Sequence, residues 1–207
     1  MTLKLNGSSS GYTAIDAPAS AGSNTLVLPT TNGSAGQVLQ TDGNGNLSWV
    51  TPGLAEVDQW RLTTSFQGDA APIASNWERC DTLSFGKLGT GMSESSGVFT
   101  FPNTGVWRID FGHFYKNDGP SGGAFGIIKV TLDNGNSWST GAHMSNALAN
   151  ASGTYHFSNH SMQIIDVTDV SNIKVRFDIS VDNNNVTTDG NTSETKTNAM
   201  FIKLGET

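Results

Sequence analysis

The sequence has little charge of either sign, and positive charge is the scarcer. Of 207 residues only 11 are lysine or arginine, against 18 aspartates and glutamates, which gives a net charge of −7 and a charged fraction of 14%. A nucleic-acid-binding surface needs clustered cations, so we expect no nucleic-acid partner. No apolar run approaches the roughly 18 residues of a membrane-spanning helix, so we expect no membrane partner.

Cysteine is almost absent as well. Cys80 is the only one, so no disulfide can form within the chain, and we expect a buried, unreactive thiol. Residues 1–7 lack the apolar core of a secretion signal. The expectation from this stretch is a protein that is made in a cytoplasm and not exported by the signal-peptide route.

Glycine and aromatic residues are plentiful. The chain has 24 glycines, ten phenylalanines and five tryptophans, with many asparagines, serines and threonines. The small polar residues disfavour long helices because they prefer turns and strands. Disordered chains are usually poor in aromatic residues. The composition therefore predicts a folded, all-β protein.

Residues 1–53 differ from the remainder in carrying only three charged and two aromatic residues. Short apolar strings at 25–28, 37–40 and 47–50 are separated by Asp-Gly and Asn-Gly turns, which are typical of hairpins. Such short strands bury too little surface to hold a lone chain together. We predict a fibrous β segment that is stable only against other chains, with a flexible linker as the alternative.

Residues 54–207 have the pattern of a separate head domain. Aromatic and β-branched runs recur between Gly- and Asn-rich turns, which indicates a β-sandwich or barrel. We assign residues 142–151 to a loop. The predicted strands are 60–66, 76–81, 83–88, 97–101, 105–115, 124–132, 154–166, 172–181 and 198–204.

The most aromatic stretch of the head is a hairpin at residues 95–111, SSGVFTFPNTGVWRIDF. Because side chains alternate along a strand, Phe99 and Phe101 share one face of the first strand, and Trp107 lies with two further apolar residues on one face of the second. Arg108 and Asp110 fall on the opposite face. The pattern predicts that Phe99, Phe101 and Trp107 pack in the core.

This hairpin resembles the signature of the tumour-necrosis-factor-like jelly roll, in particular the globular heads of complement component 1q. The final strand, 198–204, resembles the last strand of that family. The resemblance covers about 60–207 and implies a jelly-roll head that forms homotrimers. Residues 182–197 depart from it, because a polar tract replaces the usual aromatic-rich strands.

The N-terminal part resembles a different group of proteins. Residues 15–19, 24–29 and 36–50 are similar to a recurrent module of bacteriophage fibre proteins, especially those of marine and cyanobacterial phages. Together the two resemblances imply a homotrimeric appendage of a virion, assembled in the host cytoplasm. Residues 1–53 would be the shaft or virion-attachment segment, with other phage structural proteins as partners, and 54–207 would be the head.

The residues give few signs of chemistry. No nucleophile elbow or phosphate-binding loop occurs, so we expect neither an enzyme nor a cofactor. His156 and His160 would lie about 13 Å apart along a strand, too far for one zinc ion, and we expect no metal. Residues 133–137 have the composition of a calcium loop but are predicted to be a simple turn. Asp182 and Asp189 leave calcium binding by the 182–197 loop open as an alternative.

Recognition is expected on loops, because strands supply the core of a jelly roll. The candidates are 116–123, 139–153 and, above all, 182–197. Its asparagine and aspartate side chains suit sugar hydroxyls, with Trp138 or Tyr155 stacking on a sugar ring if either lies nearby. Host-surface carbohydrate is the predicted ligand. The candidate receptor-binding residues are Asn183, Asn184, Asn185, Thr187, Thr188, Asp189 and Asn191.

The leading hypothesis is therefore a trimeric phage fibre whose head binds the host cell. A capsid decoration or head-fibre protein is the main alternative, because 207 residues are few for a long tail fibre. A polysaccharide-degrading tailspike and a secreted complement-like protein are weaker alternatives. The first lacks a cleft motif, and the second lacks a signal and disulfides.

Overall fold

A computed structural model of the chain describes residues 3–119, 122–148 and 154–207, and every regular element in these ranges is a strand. Nowhere in them is there a helix long and apolar enough to cross a membrane. The all-β prediction is confirmed. The strands are β1 Leu3–Asn6, β2 Tyr12–Ile15, β3 Val38–Thr41, β4 Leu47–Val50, β5 Val57–Leu62, β6 Phe66–Gln67, β7 Trp77–Arg79, β8 Ser93–Ser95, β9 Val98–Thr100, β10 Gly105–Asn117, β11 Gly122–Thr131, β12 Ser139–Leu148, β13 Tyr155–Val167, β14 Lys174–Val181, β15 Val186–Thr188 and β16 Asn198–Gly205.

The chain divides into two compact units, Met1–Gly53 and Leu54–Thr207. The first consists of two hairpins, β1–β2 and β3–β4. An isolated parallel bridge joins Val27 to Asn46. Trp49 of β4 ties this strand to the preceding turn, because its indole N–H donates to the Thr31 carbonyl at 2.7 Å. Gly33 lies against that ring with φ +69°, where a Cβ atom would come within 2.7 Å of it.

The second unit is a sandwich of two antiparallel sheets. In the first sheet β10 is paired along its whole length with β13, and on its other side with β16 and then β15. Strands β5 and β7 continue the sheet beyond β16, and β6 follows β15. The second sheet has the order β12-β11-β14-β9-β8. The first and last strands of the unit, β5 and β16, are therefore neighbours.

The aromatic hairpin supplies the centre of the core between the sheets. Phe99 and Trp107 have no exposed surface, and Phe101 is 2% exposed. The prediction that these residues pack in the core is confirmed. The ring of Phe99 contacts four other aromatic rings at centroid distances between 5.2 and 5.4 Å, namely those of Trp60, Trp77, Phe177 and Phe201. Aromatic pairs of this kind add stability beyond the area they bury.

A polar layer interrupts the core beside the aromatic cluster. His113 is fully buried, with Nε2 3.0 Å from the Thr188 hydroxyl and the ring stacked on Tyr115 at 4.8 Å. Burial lowers the pKa of His113 to about 3, because a charged imidazolium is poorly solvated there. Its cross-strand neighbour Asn159 donates from Nδ2 to the Ala124 carbonyl. Cys80 is also buried, as predicted.

One strand assignment and two loop assignments from the sequence were wrong. Residues 83–88 form no strand, because Leu83 and Ser84 adopt positive φ values of 54° and 62°. Residues 142–148, assigned to a loop, belong to β12, which pairs with β11 over nearly its whole length. The polar tract 182–197 contains the strand β15. Residues 120–121 and 149–153, parts of two predicted loops, lie outside the described residues.

Candidate binding surfaces and subunit interface

The 182–197 segment is fixed to the head by a strand in its middle. Strand β15 lies between β10 and β6 and pairs with both. Backbone bonds continue on its C-terminal side, where Asp189 N–H donates to the Phe114 carbonyl and Asn191 N–H to the Leu62 carbonyl. A segment held by a sheet on both sides is not a free loop.

The structure spreads the seven predicted receptor-binding residues over different environments. Thr187, Thr188 and Asp189 are buried, at 8%, 0% and 6% exposure. The three side chains therefore offer little surface to a receptor, and their role in receptor binding stays a prediction. Asn184 and Asn185 are exposed, and Asn183 and Asn191 are half-buried. The accessible parts of the segment are the turn that precedes β15 and residues 192–194 after it.

Of the two aromatic residues proposed to assist the segment, Trp138 lies far from it and Tyr155 lies nearer. Trp138 packs beside Arg176, near the start of β14, whereas the 182–197 segment follows the end of that strand. Six residues of strand, from 176 to 182, separate these points by about 20 Å. Tyr155 lies closer to the segment. It is 44% exposed and pairs with Asn117 of β10, whose other neighbour is Val186 of β15, so about 10 Å of sheet separates the two.

The two carboxylates considered as calcium ligands interact with other groups of the protein. Asp182 Oδ2 accepts a hydrogen bond from the Gly123 N–H at 2.8 Å, and Asp189 lies 3.6 Å from the ammonium group of Lys196. The histidines of β13 are likewise separated. His156 stacks on Phe114, while His160 Nε2 lies 3.2 Å from Asp110 Oδ1. Within the described ranges no three His, Cys, Asp or Glu side chains are grouped to hold a metal ion.

Aliphatic side chains cover part of the outer face of the first sheet, the face directed away from the core. Strand register places them in rows, with Ile164 and Ile202 on either side of Arg108, and Met162 and Met200 on either side of Asp110. Met162, Ile164 and Leu204 are each about half exposed, at 48%, 51% and 47%. We call this the aliphatic patch, and it comprises Met162, Ile164, Met200, Ile202 and Leu204.

A polar group lies among these aliphatic side chains. Arg108 binds Asp110 through two hydrogen bonds of 2.8 and 2.9 Å, and His160 approaches the same carboxylate. Asp110 is only 3% exposed although it points away from the core. The charge of Asp110 is therefore already compensated, so a second protein surface could cover the patch without burying an unpaired carboxylate.

The first unit exposes almost all of its apolar side chains. No residue from 3 to 53, a range that the structure describes completely, is buried. All residues of β1, β2 and β3 are exposed, and the aliphatic string 26–28 has exposures between 53% and 69%. A segment with this much exposed apolar surface gains little from burial within its own chain.

Comparison with known proteins gives a fold. No protein-family model matches the chain, and no curated protein sequence matches it. Among solved structures, Eiger TNF from S. frugiperda superposes with a TM-score of 0.51 at 11% identity, over 73% of this chain and 93% of that chain. Murine APRIL gives a TM-score of 0.47 at 11% identity, over 72% and 98% of the two chains. The likeness to Eiger, together with the two-sheet topology, shows that this chain contains a TNF-like jelly roll.

Proposed function

We propose that the protein is a homotrimeric structural protein of a phage particle, a fibre whose jelly-roll head attaches the virion to the host cell. In this proposal residues 1–53 form a shaft that joins the head to other virion proteins. The fold is consistent with a trimer, and the resemblance of residues 15–50 to fibre modules supports the virion location.

The observation that carries the proposal is the exposure of the first unit. An isolated chain would present leucine, isoleucine and valine side chains along two narrow hairpins, and two-stranded hairpins are marginal in water. Three copies wound together would bury those side chains against each other, as a fibre shaft requires. A flexible linker would not need such regularly spaced aliphatic residues.

The aliphatic patch supports the same assembly in the head. Its methionine, isoleucine and leucine side chains lie on β13 and β16, on either side of the Arg108–Asp110 pair of β10. Exposed apolar surface grouped in this way usually marks a protein–protein contact. The internally paired Arg108 and Asp110 add polarity without an uncompensated charge. We assign this face to the contact between subunits of the head.

Mass photometry and immuno-electron microscopy test the two parts of the proposal. The purified protein should have three times the 21.8 kDa mass of one chain, and a stable monomer with an ordered first unit would contradict the assembly. An antibody against the head should label tail tips of intact particles. Absence of the protein from particles would contradict the virion role.

A capsid decoration protein is the second candidate. The burial of Thr187, Thr188 and Asp189 favours it, because the segment expected to recognise the host offers less accessible surface than its composition suggests. Labelling distributed evenly over the capsid shell, with none at the tail, would identify this function in place of host attachment.

A further inference from the structure

A groove of about 440 Å³ lies on the outer face of the second sheet of the head. Its floor is formed by the side chains of β9 and β14 that alternate with the core residues Phe99 and Val175. The turn between β11 and β12 borders one side, and the end of β8 borders the other. The size falls within the range of small-ligand sites. The side chains used below are Ser95, Ser96, Val98, Asn134, Trp138 and Lys174.

Charge in the groove is not balanced. Arg176 is compensated, because its Nη2 donates to Asp178 Oδ2 at 3.1 Å and the Asp178 side chain is 6% exposed. Lys174 has no ion pair or hydrogen-bond partner among the described residues. One half-exposed ammonium group therefore remains free to meet an anion, in a chain whose net charge is −7.

The turn that carries Trp138 is held rigidly. The Asp133 carboxylate accepts hydrogen bonds from the Ser137 N–H at 2.9 Å, the Ser137 hydroxyl at 2.6 Å and the Thr131 hydroxyl at 2.7 Å. These donors hold the pKa of Asp133 at about 2. Trp138 then lies over Arg176, with the guanidinium carbon 4.7 Å from the ring centroid. A preset aromatic side chain loses little entropy when a ligand binds.

Neutral hydrogen-bonding groups surround this aromatic side chain. Ser95, Ser96 and Asn134 are exposed, and the indole N–H of Trp138 has no hydrogen-bond partner among the described residues. Val98 and the indole offer apolar surface for the C–H face of a sugar ring, while hydroxyl and amide groups suit its hydroxyls. A sugar with an acidic group would use these apolar and hydrogen-bonding surfaces together with the free ammonium group of Lys174.

We propose that this groove binds an acidic saccharide, with Lys174 contacting its carboxylate or sulfate group and Trp138 its ring. The site is additional to the proposed function. It lies on the second sheet, whereas the aliphatic patch lies on the outer face of the first sheet, so subunit contact through the patch leaves the groove open.

Titration calorimetry on the full chain tests the proposal with three probes: oligogalacturonate for the carboxylate, sulfated dextran oligomers for the sulfate, and unmodified dextran as a neutral reference. We expect one or both anionic probes to bind and dextran to bind far more weakly. Binding should weaken as salt is raised, because the contact is ionic. Equal binding of dextran, or no binding of either anionic probe, would overturn the proposal.

Matched lysine variants locate the site. Lys174→Gln should weaken anionic binding about tenfold, as expected for a lost charge-assisted hydrogen bond. Lys129→Gln makes the same charge change one strand away, where the ammonium group donates to the Thr140 hydroxyl, and should change binding less than about twofold. Circular dichroism should show an unchanged fold in both. Equal weakening by the two variants would indicate unspecific attraction and overturn the assignment. These tests use the purified protein and no phage particles. Their outcome is therefore independent of the particle-labelling experiment that tests the proposed function.

Discussion

Trp107 is the largest fully buried side chain in the head, and its ring lies 5.1 Å from that of Phe101. Trp107→Ala removes this ring from a closed core, so we expect the free energy of unfolding to fall by about 3–5 kcal/mol. Denaturant unfolding followed by circular dichroism measures the loss. Leu132→Ala, at a loop position that is 72% exposed, should change it by less than about 0.5 kcal/mol. Equal stability of the Trp107 variant and the parent would contradict the core assignment.

His113 gives the head a predictable response to acid. Its pKa in the folded state is about 3, below the ordinary value of 6.5. Between those two values the unfolded chain binds a proton that the folded chain excludes, so stability rises with pH across this window and is lost as the pH falls through it.

The measurement is the melting temperature of the parent and of His113→Gln from pH 7 to pH 4. We expect the parent to lose more stability on acidification than the variant, because the variant lacks the group that must be kept neutral. Other titrating groups contribute equally to both curves. Parallel curves would show that His113 does not drive the response.

At the scale of elements, β15 determines what the 182–197 segment can do. Replacing residues 183–196 by a short Gly-Ser turn would remove the buried Val186 and the pairing of β15 with β6 and β10. We expect the melting temperature to fall by roughly 5–10 °C. Thermal unfolding monitored by circular dichroism checks this, and an unchanged melting temperature would show that β15 contributes nothing to the sheet.

A smaller change tests recognition by the same segment. Asn184 and Asn185 are exposed in the turn before β15, so replacing both by alanine should leave the melting temperature within about 2 °C of the parent. Under the attachment proposal, phage carrying this variant should adsorb more slowly to host cells. Unchanged adsorption with an intact fold would remove the turn from the binding surface.

Strands whose residues alternate between apolar and polar could be predicted from the sequence, because they face the core on one side only. The strand at 105–115 is an example, and it extends only two residues further in the structure. Strand β12 could not be predicted from the sequence, because Ala142, Ser145 and Asn146 have weak strand preferences. Pairing with β11 holds these residues in the strand. Leu83 and Phe85 suggested a strand, but the backbone between them turns and Leu83 is 86% exposed.

The candidate sites were predictable to a smaller extent. Asn184 and Asn185 are exposed as their polarity suggests, but the burial of Thr187 and Thr188 depends on two partner strands distant in sequence. The groove on the second sheet joins residues 95, 138 and 174 from three separate segments. Only the tertiary fold brings these together, so no local sequence motif indicates them.

For the whole molecule, a single charge on the aliphatic patch should separate assembly from folding. Ile164 is 51% exposed, so Ile164→Asp costs the isolated head little. In a trimer it would bury a second carboxylate beside Arg108, whose charge Asp110 already compensates, against a neighbour. We expect mass photometry to show the parent at three times the chain mass and the variant mainly smaller. Leu132→Asp, on an exposed loop, should keep the parent mass. A trimeric Ile164 variant would exclude the patch from the interface.

The pairing of β5 with β16 has a consequence for synthesis of the chain. Residues 57–61 must wait for residues 198–202 before the first sheet can close. While the ribosome makes the intervening strands, the unpaired edges of β5 and β10 can pair with another nascent copy. Such distant pairings also slow folding, typically to milliseconds or seconds. Refolding from denaturant should therefore be slow, and its yield should fall as the concentration of the chain increases.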